Sequence, residues 1–198
     1  MTEALVHGLL LAIGLILPLG PQNAFVLSQG ASQPTLWRAL PVVATAGCCD
    51  TTLIVLAVLG VSAVVAALGW LQAILVVGGV VFLLVMGWLT WRSPPPDMAA
   101  ATGAAAGRRV AYAVAISLGN PHAVVDTIGV IGTSSLAYAG AAKLAFTGAC
   151  VAVSWLWFLG LAAAGRAMAR FEPLRRLLNP LSAVVMWASA AYLAASLF

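Results

Sequence analysis

The sequence predicts an all-α integral membrane protein of six transmembrane helices, arranged as two inverted three-helix repeats in which helices 1 and 4 are broken at proline. Three observations predict it. The first is composition. Of 198 residues, 63% are hydrophobic and 7% charged, where a soluble domain carries about 25% charged residues. That excludes a soluble globular enzyme and a disordered chain. It also excludes a nucleic-acid binder, despite a net charge of +4, because the basic residues lie between the apolar stretches. The second observation is that those stretches are each long enough for the roughly 20 apolar residues a bilayer requires. The third is a proline break that recurs 100 positions later, from Pro21 to Pro121.

Cutting at charges and turn-formers places the spans at about 4–28, 40–65, 69–91, 110–136, 143–165 and 178–198. The first begins after Glu3, with neither a basic leader nor a small-residue cleavage site, and reads as a membrane span rather than a signal peptide. It contains Leu17-Pro18-Leu19-Gly20-Pro21-Gln22-Asn23, and the connection 29–39 (QGASQPTLWRA) follows. Span 2 carries Asp50 about ten residues in, just after Cys48 and Cys49. With Cys150 these make three cysteines in no zinc or disulfide spacing, which reads as small apolar residues. A tight turn near Leu68-Gly69 leads into span 3, and Trp37, Trp70, Trp88 and Trp91 collect at span ends as an aromatic belt does.

The Pro-, Ala- and Gly-rich stretch 92–109 reads as a linker. It divides the chain into a first repeat (1–91) and a second (110–198). Span 4 contains Leu118-Gly119-Asn120-Pro121-His122 and, five residues after the proline, Asp126. A short turn near Ala139-Gly140 precedes span 5, and the basic stretch 166–176 precedes span 6. Small-residue pairs such as Gly78-Gly79 and Gly129-x-x-Gly132 fit close helix packing without identifying a dimer face.

Lys and Arg set the orientation. Arg38, Arg92, Arg108, Arg109, Arg166, Arg170, Arg175 and Arg176 fall in connections 1–2, 3–4 and 5–6, and Lys143 alone falls in the other set. This places the three basic connections in the cytoplasm and both termini outside.

Proline removes a backbone donor and clashes with the preceding turn, so spans 1 and 4 should break. Three spans per half point the halves in opposite directions, as in inverted-repeat transporters whose sites lie at paired broken helices. The half-helix after each break exposes N–H groups, an anion-binding end. Asp50 and Asp126 bring acids into membrane-buried sequence, at an insertion cost on the order of 3 kcal/mol each. No Lys or Arg lies inside a span to offset them. Two acids beside two anion-binding helix ends suit a substrate carrying both signs, and best a cationic amino acid. His122 is a further candidate for proton coupling, whereas His7 reads as interfacial. No metal site and no cofactor is expected.

The stretches LPLGPQNAFVLSQG (Leu17–Gly30) and NPHAVVDT (Asn120–Thr127) closely resemble the two signatures of the LysE/ArgO family of L-lysine and L-arginine exporters. The resemblance extends to chain length, six hydrophobic segments and the acid in span 2. It implies export of basic amino acids across the bacterial inner membrane, driven by membrane potential or proton gradient. Carried over position by position, it implies a substrate site of Gly20, Pro21, Gln22, Asn23, Asp50, Asn120, Pro121 and Asp126. Asp126 separates this pattern from the related RhtB-type exporters of neutral amino acids. Ser28 departs from it, since family members often have a basic residue there. The expected partners are a basic amino acid and the lipid bilayer, with a homodimer left open. Rival readings are an exporter of neutral amino acids or of a metal cation, a CcdA-type thiol–disulfide carrier, and a structural membrane subunit. The thiol carrier would need a cysteine in each broken helix, and spans 1 and 4 have none.

Overall fold

The computed structural model describes residues 1–16, 20–61, 106–119, 124 and 127–169, with individual helical positions between 77 and 92 and between 177 and 194. Five α-helices are continuous among the described residues: α1 (Thr2–Ile16), α2 (Pro21–Ser32), α3 (Leu36–Leu56), α4 (Ala106–Leu118) and α5 (Gly140–Met168). The stretch expected as one first span is thus two helices, with axes bent by 79°. Proline accounts for the restart. Pro21 occupies the first helical position, where its missing N–H would be unpaired anyway, and Gly20 before it is extended.

The expected connection 29–39 is corrected to residues 33–35, since α2 continues to Ser32 and α3 starts at Leu36. The next residue is what stops α2. Pro34 disfavours the helical conformation at the residue before it, and Gln33 is extended at φ −89°, ψ 142°. Pro41 lies inside α3, and Thr45 Oγ1 donates to its carbonyl at 2.7 Å. Beyond Leu56 the chain widens into a π-type turn, Ala57–Val61, and Gly60 there adopts φ +106°, a conformation that glycine permits.

Helix α4 stops at Leu118, just before Gly119-Asn120-Pro121, and helical turns are again described at Thr127–Gly132 and Ser135–Ala137. Residues Asn120, Pro121, His122 and Asp126 lie outside the described residues. Expected spans 3 and 6 are described only at individual positions. There Trp187 Nε1 donates to Leu84 O at 3.3 Å, and its ring lies 5.6 Å from that of Trp91.

Helix α5 runs through the middle of the described bundle. Its first half joins Phe146, Cys150 and Val153 to Ala4 and Ala12 of α1 and to Ile54 of α3. Its second half joins Phe158, Leu161 and Ala162 to Val26 of α2, to Ala39, Val42, Val43 and Ala46 of α3, and to Ala113 of α4. So α3 and α5 are antiparallel, and Arg38 at the start of α3 shares an end of the bundle with Arg166 in the last turn of α5. Lys143, in the first turn of α5, lies at the opposite end. Glycine lets the backbones approach. A Cβ on Gly30 would strike the Ala162 carbonyl, one on Gly165 the Leu27 carbonyl, and one on Gly8 would come within 2.6 Å of Phe146 O.

Among the described residues, two helices are long and apolar enough to cross a membrane, Leu36–Gly60 and Gly140–Met168, and the bent pair α1–α2 makes a third if taken as one span.

Candidate functional site

The site is built on the first turn of α2. The opening turn of a helix leaves N–H groups with no partner inside the helix. Gly20 supplies no side-chain cap here. Gln22 and Asn23, the two residues after Pro21, are buried at 7% and 6% exposure, which commits their amides to partners inside the protein. Asn23 reaches back across the break and donates to Ile16 O at 2.8 Å. It thereby satisfies a carbonyl at the end of α1 that the break sets free, as membrane burial demands.

Gln22 reaches the other way. Its Nε2 donates to Asp50 Oδ1 at 3.1 Å, so the polar first turn of α2 and the acid of α3 meet. The second carboxylate oxygen, Oδ2, accepts from Ser154 Oγ of α5 at 2.8 Å. Ser154 is 0% exposed. Both described partners of Asp50 are therefore neutral donors. They hold the carboxylate without cancelling its charge, and a buried charge so held still favours an incoming cation.

One residue along each helix, a second α3–α5 contact fixes the registry. Trp155 Nε1 donates to Thr51 Oγ1 at 3.1 Å, and the same indole lies flat on Gly47, where a Cβ would come within 2.7 Å of the ring. Cys49 is buried and Cys48 exposed, neither in a disulfide. Ser28, the departure from the resembled pattern, is buried and donates to Phe25 O at 2.8 Å. His7, expected at an interface, is hydrogen-bonded through Nδ1 to Tyr138 OH at 2.8 Å and stands beside Phe146.

Of the expected site residues, Gly20, Pro21, Gln22, Asn23 and Asp50 come together. Ser154 was not foreseen. The signal open to sequence reading was a lone serine deep in an apolar span, but serine in a helix usually bonds its own backbone. Only the fold brings it across 104 residues to Asp50.

A helical membrane protein whose broken helix buries a polar first turn against an intramembrane acid has the make-up of a polytopic transporter. The model of the LysE type translocator family matches residues 13–197, and the chain belongs to that family. It is 51% identical to YisU of Bacillus subtilis strain 168, a protein whose name proposes it as an amino-acid transporter, over 99% of this chain and 91% of that one. It is 36% identical to the arginine exporter protein ArgO of Salmonella schwarzengrund, over 95% of this chain and 92% of the relative. The arginine exporter protein ArgO of Salmonella typhimurium is 35% identical over the same shares. No solved structure matches the chain.

Proposed function

We propose that this chain is a secondary exporter of basic amino acids, L-arginine, L-lysine or close analogues, working across the bacterial inner membrane by alternating access. Membrane potential or a proton gradient drives it. The observation that carries the reading is Asp50, a carboxylate in an apolar helix, held at both oxygens by the neutral donors Gln22 and Ser154. Asp50 receives a cationic group of the substrate. The first turn of α2, with a partial positive charge of about half an elementary unit, attracts the substrate carboxylate. Asn23 keeps the break in shape.

Asn120, Pro121 and Asp126 form the matching half of the site, with His122 and the two acids as candidates for proton coupling. The repeats 1–91 and 110–198, joined by the linker 92–109, are inverted. Asp50 and Ser154 each belong to the middle span of a repeat, and their contact fits two such spans facing one another. The end of the bundle carrying Arg38 and Arg166 faces the cytoplasm, and both chain termini lie outside. The names of the ArgO relatives favour arginine over lysine.

The test is efflux of labelled arginine and lysine from proteoliposomes under an imposed potential or pH gradient, with leucine and threonine as competitors. Saturable arginine or lysine efflux, lost in Asp126→Asn, is the expected result. Efflux confined to the neutral amino acids would replace this reading with a neutral exporter on the same fold.

A further inference from the structure

Two more glutamines follow Gln22, one in α2 and one at its end. Gln29, seven residues on, projects within about 20° of Gln22 on one helical face and lies about 10 Å further along the axis. Gln33, eleven residues on, is the extended C-cap residue just past the helix. Gln33 is 1% exposed. The Oε1 atoms of Gln29 and Gln33 are both buried with no hydrogen-bond partner among the described residues. Val26, between Gln22 and Gln29 on that face, belongs to the core shared by α2, α3 and α5, and Trp157 packs against this core. The indole Nε1 of Trp157 is likewise buried and unpartnered. Native proteins leave few such groups, and each calls for a reason.

Two orphan acceptors and one orphan donor match the groups of an amino acid, whose ammonium or guanidinium offers N–H donors and whose carboxylate accepts. From this complementarity we infer that Gln29, Gln33 and Trp157 line the substrate's path between the Arg38 end of the bundle and Asp50. The Gln oxygens accept from the substrate cation, and the Trp157 N–H donates to its carboxylate. The inference rests on the transport reading and adds the route to the site. Neutral amide oxygens suit a path better than carboxylates do, because a conducted ion must be held firmly enough to enter and loosely enough to leave.

The experiment uses the full chain in proteoliposomes. Gln29→Met and Gln33→Met keep the shape of the side chain and remove the orphan acceptor. Each variant is expected to unfold at the wild-type temperature or higher, since a merely structural amide would be missed and an orphan one would not. Arginine efflux in the same variants is expected to fall at least tenfold. Wild-type efflux from both would overturn the inference while leaving the exporter reading intact.

In a background without Cys48, Cys49 and Cys150, Gln29→Cys and Gln33→Cys then report access. A membrane-impermeant thiol reagent applied from the Arg38 side should label them, and added arginine should slow the labelling. No labelling in a transport-competent variant would overturn the path. Slowing by leucine but not arginine would support the path and overturn the basic-substrate reading.

Discussion

Asp50 shows how one side chain sets the chemistry of the bundle. In an apolar helix its carboxylate is tolerated because Gln22 and Ser154 satisfy both oxygens, and it remains useful because neither donor carries a charge. Asp50→Asn removes the charge and turns one acceptor oxygen into a donor. Arginine efflux should fall at least tenfold, with the protein still recovered in the membrane fraction. Ser154→Ala tests the support rather than the charge. A hydrogen bond to a charged group contributes roughly 1.5–3 kcal/mol, and a chain of this length loses about 2–4 °C of unfolding temperature per kcal/mol. The variant should therefore unfold several degrees earlier in detergent. An unchanged melt would mean that Ser154 does not hold Asp50 in the folded protein.

At the scale of the helix, the break in span 1 was legible because its causes are local: Gly20 and Pro21 act on their own backbone, and α2 begins at the proline. Gln22 and Asp50 could be named as candidates for the same kind of reason, a polar or charged group in apolar sequence. What brings Ser154 to Asp50 is the packing of α5 on α3, and no periodicity in either helix encodes a partner 104 residues away. The close helix crossings were equally hidden. Sequence reading pointed to glycine pairs at Gly78-Gly79 and Gly129-x-x-Gly132; Gly78 and Gly79 lie outside the described residues, and the described approaches include Gly8, Gly30, Gly47, Gly87 and Gly165. A glycine matters through what faces it, and the facing group belongs to another element.

The crossings predict a contrast that a melt can read. Gly30→Ala and Gly165→Ala drive a methyl into a facing carbonyl and force α2 away from α5, so both should lower the unfolding temperature and reduce efflux by disturbing Gln22. Gly148→Ala and Gly160→Ala lie on α5 with nothing among the described residues within 4 Å of the new Cβ. Alanine stabilises a helix over glycine by roughly 0.5–1 kcal/mol, so these two should melt at or slightly above the wild-type temperature. Equal effects from the two pairs would contradict the crossing geometry.

For the whole molecule the deciding solvent is lipid. The 25 residues of Leu36–Gly60 and the 29 of α5 rise about 37 and 43 Å. Both exceed a hydrocarbon core of roughly 30 Å, so each must tilt or carry its ends into the interface. Lys143 and Arg166 mark where α5 leaves the core, because their separation corresponds to about 35 Å of helix. Leu156 falls between them near mid-depth and is 69% exposed, an outward leucine at the depth of the hydrocarbon core. An arginine at the centre of a membrane helix costs about 2.5–3.5 kcal/mol on insertion scales, and from this face it has no polar interior to turn to. Leu156→Arg should therefore deplete the carbonate-resistant membrane fraction, while Leu156→Phe leaves it unchanged. Ala167→Arg, on an exposed position beside Arg166, places the same charge at the interface and should insert normally. The depth dependence separates a lipid-facing surface from a merely crowded one: if all three variants insert alike, that face of α5 is not in contact with the hydrocarbon core.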